Sequence, residues 1–146
     1  MSGDGADPAD LQRRIVAFVR AFGLHQPDET PCGGPVPVSA AHALAVLAER
    51  GGLSQTELGA RLPLRKSTVS RLVDQLERRG WARRTVEGSD GRQRTVVLTA
   101  AGRQAADEIG GRRATRMARL FDRIPERDRP AVMAALDPFV EAAHDD

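Results

Sequence analysis

The sequence predicts a mainly α-helical fold with one small β-hairpin, and three observations carry that expectation. Apolar residues recur at three- and four-residue spacing through most of the chain. Helix breakers stand between these stretches, at Gly51-Gly52, Pro63, Gly80 and Pro125. Strand chemistry is confined to two short β-branched runs, residues 81–86 and 94–98, on either side of the turn sequence Gly88-Ser89-Asp90-Gly91.

In order along the chain, Asp7-Pro8 provides an acidic cap and a first-turn proline. Leu11, Ile15, Phe18, Val19 and Phe22 follow at helical spacing. Residues 25–38, HQPDETPCGGPVPV, hold four prolines and two glycines and predict a loop without regular structure. Ser39 is expected to cap a second helix, Ala40–Arg50, which Gly51-Gly52 ends. Ser54-Gln55-Thr56-Glu57 has capping-box spacing and predicts a short helix to about Leu62, with Leu58 and Ala60 as its apolar and small packing positions. A longer helix follows. Leu72, Val73 and Leu76 form its buried stripe, and Gly80 ends it behind Arg78-Arg79. A short capped helix, a tight turn and a longer helix with a polar start make a helix-turn-helix, and the hairpin after it makes a wing. Thr99 is expected to cap a long helix to about Ile124. After Pro125 a last helix, roughly Glu126–Ala143, carries Val132, Met133, Leu136, Phe139 and Val140 on one face.

Charge singles out the same central segment. The whole chain has 22 basic and 20 acidic residues, but residues 61–94 hold 10 basic and 4 acidic ones, a local excess of +6. A clustered excess is the footprint of a polyanion partner in a way that a basic average is not. At the start of the longer helix, Arg65, Lys66, Ser67, Thr68, Ser70 and Arg71 combine cations with small hydroxyls. Small polar side chains let a helix approach base edges, while Arg and Lys reach phosphates or guanine. Gln75, one turn on, can meet a base edge or the sugar–phosphate backbone. Arg83, Arg84 and Arg94 of the wing are expected to contact phosphates, and Asp90 to hold Arg92 at the wing tip.

The stretch Leu53-Ser54-Gln55-Thr56-Glu57-Leu58-Gly59-Ala60, continuing through Ser67-Thr68-Val69-Ser70-Arg71-Leu72-Val73 to Leu76-Glu77-Arg78-Arg79-Gly80-Trp81, resembles the MarR family of bacterial transcriptional regulators. So do Asp90-Gly91-Arg92 and Leu98-Thr99-Ala100-Ala101-Gly102-Arg103. The resemblance implies a winged helix-turn-helix lobe, residues 39–99, and a helical dimerisation region from residues 7–24 and 100–143, within one domain spanning 1–146. It implies a homodimer on double-stranded DNA at a pseudo-palindromic operator, with Arg92 in the minor groove. It also implies repression released by a small, often aromatic, effector bound between the dimerisation helices and the lobe. The family often carries a further basic residue at the wing-tip position occupied here by Gly91. Independently of the resemblance, apolar stripes at both ends of the chain point to self-association, because large exposed apolar faces are rare on monomers.

Phe18, Phe22, His42, Val46 and Met117 are the candidate effector-binding residues, with His42 and Val46 expected opposite a lobe-facing side of Leu44, Leu47 and Ala48. Each has a plainer alternative as core or dimer interface. Trp81 reads most simply as a core residue under the wing. Cys32, with no tyrosine in the chain to orient it, reads as an inert thiol, the alternative being a redox-sensing regulator. A winged-helix module for protein interaction or architectural DNA binding is the rival from another class. Three dispersed histidines and one cysteine predict no metal and no cofactor. No phosphate-binding loop, His-Glu zinc motif or nucleophile elbow occurs, so an enzyme is not expected. Without an apolar stretch of roughly 20 residues or a signal-like N-terminus, the expected location is the cytoplasm, away from the membrane.

Overall fold

A computed structural model describes residues 7–31, 34–87 and 93–145. Cys32, Asp90, Arg92 and the Gly88–Gly91 turn therefore lie outside the described residues. The elements run α1 (Pro8–Phe22), α2 (Val38–Arg50), α3 (Gln55–Arg61), α4 (Lys66–Arg78), β1 (Ala82–Glu87), β2 (Gln93–Leu98), α5 (Ala100–Arg123), a 3-10 turn (Glu126–Asp128) and α6 (Arg129–His144). The chain divides into two compact units between Gly110 and Gly111, inside the continuous helix α5.

In the first unit, Asp7 accepts the N–H of Ala9 to cap α1, and Gly23, with φ +90°, ends it. No residue of α1 is buried. The segment between α1 and α2 has more order than a proline-rich loop predicts. Thr30 is buried and pairs with Gly34 through an isolated bridge. The helix α2 begins two residues earlier than the Ser39 cap predicts, at Val38. Pro37 precedes it and no side chain caps it. The buried Val36 fixes the entry of the chain into the core, so Ser39 falls within the first turn, too late to cap it.

The core is aliphatic. Ala40, Ala41, Ala43, Leu44 and Leu47 of α2 meet Leu58 of α3, Val69, Leu72, Val73 and Leu76 of α4, and Ala82, Val96 and Leu98 of the hairpin. The side of α2 that faces the lobe therefore excludes Ala48, which is exposed, and includes the smaller alanines of its first turns. Gly59, not the exposed Ala60, is the small residue that lets α3 meet α4: a Cβ there would stand 3.0 Å from Val69 Cγ2 and 3.2 Å from the Leu64 carbonyl. The Ser54–Glu57 capping box forms in both directions.

β1 and β2 pair antiparallel, with Ala82 opposite Leu98 and Arg84 opposite Val96. Leu53 adds a bridge at the other edge of β2, donating to the Val96 carbonyl (3.1 Å) and accepting the Val96 N–H (2.7 Å). One corner ties the end of α4 to the start of α5. Gly80 takes φ +72°, its N–H reaches the Glu77 carbonyl, and the Trp81 N–H reaches Leu76, which is a Schellman cap. Thr99 donates its hydroxyl to the Gly80 carbonyl (2.5 Å) and accepts the Gly102 N–H (3.0 Å), and its N–H reaches the Trp81 carbonyl. Ile109 is the last residue of the chain in the lobe core.

In the second unit, α6 starts at Arg129, later than the predicted Glu126, because residues 126–128 form a 3-10 turn after Pro125. Arg129 donates to the Ile124 carbonyl, and its guanidinium lies 4.6 Å from the centre of the Phe121 ring. No residue of α6 is buried. Val132, Met133, Leu136, Phe139 and Val140 all stand exposed, Met133 by 53%. Among the described residues no helix is long and apolar enough to cross a membrane, and no group of His, Cys, Asp and Glu is placed to hold a metal ion.

Candidate nucleic-acid interface

α4 has two faces because of its apolar spacing. Val69, Leu72, Val73 and Leu76 recur at three, four and seven residues and are drawn into the core. The opposite face is thereby turned to solvent: Lys66, Ser67, Thr68, Arg71 and Gln75 are exposed, and Ser70 is half-buried at its edge. Arg65 is the N-cap residue and makes no side-chain capping bond, as an arginine cannot accept the exposed N–H groups. It instead adds an exposed cation to a helix start whose free N–H groups already favour anions. Among the described residues, neither Lys66 nor Arg71 pairs with a carboxylate, so their charge is directed outward. Arg65 and Lys66 also flank a shallow apolar cleft of about 470 Å³ between α3 and α4 that no motif in the sequence announces.

Among the described residues, the hairpin separates its three arginines, Arg83, Arg84 and Arg94, into two roles. Arg83 and Arg94 are exposed on the wing. Arg84 is different, and the expectation of a phosphate contact does not fit its place. Its guanidinium bonds to Gln55 Oε1 at 3.0 Å, Glu77 Oε2 at 2.5 Å and Asp74 Oδ1 at 2.8 Å. Its backbone N–H reaches Glu77 Oε1 at 3.0 Å, and the side chain is only 20% exposed. All of this clamps β1 onto α3 and α4. The signal was available in the sequence. Strand alternation puts Arg84 on the same side as Ala82, the core side, and Arg83 on the other. The clamp also has an electrostatic effect, since it sets a cation against two carboxylates on α4 that would otherwise repel a phosphate backbone.

The expected effector residues fall in both units, Phe18, Phe22, His42 and Val46 in the first and Met117 in the second. Phe18 and Phe22 stack on successive turns of α1, ring centres 5.3 Å apart. His42 is exposed on α2. Val46 packs against the lobe core, which corrects its expected place on the side of α2 away from the lobe. Met117 is exposed in the second unit. Trp81 packs partly buried against the core with the Arg79 guanidinium 4.9 Å from the centre of its ring, which fits a residue seated under the wing.

Residues 35–93, which contain the whole α2–α4 lobe and the first strand, match the model of the MarR family. A comparison with curated proteins gives no match. Solved structures with the same fold include FabT of Streptococcus pneumoniae in complex with DNA (16% identity, 95% of this chain and 99% of that one, TM-score 0.80). They also include RV1404 of Mycobacterium tuberculosis (19% identity, 97% and 98%, TM-score 0.73). A third is a MarR-like transcriptional regulator from Thermotoga maritima (24% identity, 96% and 99%, TM-score 0.67).

Proposed function

Because residues 35–93 match the model of the MarR family, a family of transcriptional regulators and not of enzymes, we propose that this chain is a sequence-specific DNA-binding regulator that works as a homodimer. The observation that carries the reading is the exposed edge of α4, where Arg65, Lys66, Ser67, Thr68 and Arg71 stand clear of the core. These side chains have the size and charge to enter a major groove. Arg83 and Arg94 supply phosphate contacts from the wing, with Arg92 at its tip.

The exposed apolar faces of α1 and α6 support a dimer, which covers them and presents two copies of α4 about 34 Å apart, one turn of DNA. Such a dimer reads a pseudo-palindromic operator, as its own two-fold symmetry requires. Repression, and its release by a small aromatic effector, is the mode that the family resemblance implies. The stacked Phe18–Phe22 pair supports the effector's aromatic character.

Fluorescence anisotropy of the full chain on its own upstream intergenic DNA, against scrambled DNA over a range of salt, tests the reading. The expected result is selective binding of one dimer per site, weakened by about 1–3 kcal/mol in Arg71→Ala. Equal, steeply salt-dependent binding to both DNAs overturns sequence recognition and leaves an architectural winged helix.

A further inference from the structure

We propose that Gly110 and Gly111 form a joint built into α5, which lets the recognition lobe pivot and so accept half-sites of differing separation; this rests on the dimeric DNA-binding reading above. Glycine is the weakest helix former after proline, and two stand in succession near the middle of a 24-residue helix. Packing among the described residues of the single chain does not require them. A Cβ at either position would meet nothing within 4 Å, whereas one at Gly102 would stand 1.9 Å from the Trp81 carbonyl oxygen.

A third feature weakens the same turn. The Thr115 hydroxyl donates to the Gly111 carbonyl at 3.0 Å, competing with the helical ladder for that acceptor, and bonds of this type soften and bend helices. The division between the two compact units falls between the same two glycines. Immediately upstream, Ile109 is held in the lobe core. From Gly111 to Arg123 the helix is an arm of roughly 20 Å. A pivot of about 10° moves the end of such an arm by about 3.4 Å, the rise of one base pair.

Two measurements on the full chain test the joint. In the first, amide hydrogen exchange of the free protein is expected to be fastest, within the interior of α5, at residues 111–115. The double variant Gly110→Ala/Gly111→Ala is expected to slow it there about 30-fold. In the second, duplexes carry two half-sites at the preferred spacing or shifted by one base pair. The variant is expected to match the wild type at the preferred spacing and to bind the shifted duplexes at least about tenfold more weakly than the wild type does. Uniform exchange across residues 104–120 of the wild type overturns the joint, and so does undiminished tolerance of shifted spacing in the variant. If the wild type binds no two-site DNA, the regulator reading falls and the use of the joint with it, while the exchange profile still decides whether the joint exists.

Discussion

The winged lobe and the two terminal helices are built from similar residues but hold themselves in opposite ways. Every buried hydrophobic residue of the described chain lies between Val36 and Ile109, in one aliphatic core. α1 and α6 bury none, although both carry leucine, valine and phenylalanine at helical spacing. Short isolated helices are marginal in water, and an apolar face contributes stability only when something covers it. The lobe is therefore specified by its own sequence, and the terminal helices by whatever they meet.

The largest expected effect separates the two directly. Leu44 is fully buried, and Leu44→Ala should cost about 2–5 kcal/mol of stability, independent of protein concentration in thermal or urea unfolding. Leu136→Asp, on the exposed face of α6, should leave the lobe transition in place and shift the chain from dimer to monomer in sedimentation. A concentration-independent loss of stability in Leu136→Asp would mean that α6 packs within its own chain and would erase the contrast.

Within the lobe, Arg84 and Arg83 sharpen the comparison on neighbouring residues. Arg84→Ala removes the clamp on Gln55, Asp74 and Glu77, and because these groups are partly solvated the expected loss is about 1–3 kcal/mol of stability. Arg83→Ala should leave unfolding unchanged and make the salt dependence of DNA binding shallower by about one unit. If the two variants exchanged behaviours, the hairpin would be turned over. The smallest expected effect is at the capping box, where Ser54→Ala should lower stability by about 1 kcal/mol in the same unfolding assay.

The two faces of α4, the Ser54–Glu57 box, the Gly80 cap and the hairpin were legible because each rests on neighbours within a few residues: spacing, a hydroxyl three residues before an acid, a glycine where φ turns positive. What the local sequence does not show is mostly non-local. Arg84 and Gln55 are 29 residues apart, and no local pattern pairs them. The bridge from Leu53 to Val96 joins residues on opposite sides of α3 and α4. Ala60 is exposed and its neighbour Gly59 faces Val69, because helix phase, not residue size, decides which small residue meets α4. Ser39 failed as a cap because Val36, a burial event, sets where α2 starts. For the interface, the sequence picked out most of the exposed side chains on α4. Among the described wing arginines, it misplaced Arg84, whose charge is spent inside the protein.

The corner at Thr99 has a mechanical meaning of its own. One hydroxyl holds the last turn of α4 through the Gly80 carbonyl and the first turn of α5 through the Gly102 N–H. A push along the axis of α5 thus arrives at the C-terminal end of α4 through two hydrogen bonds, bypassing the eighteen residues of hairpin and corner that lie between Gly80 and Thr99 in the chain. The helix that carries the exposed cations is thereby geared to its neighbour at the end opposite those cations, so that a small tilt at the corner becomes its largest sweep at Lys66 and Ser67.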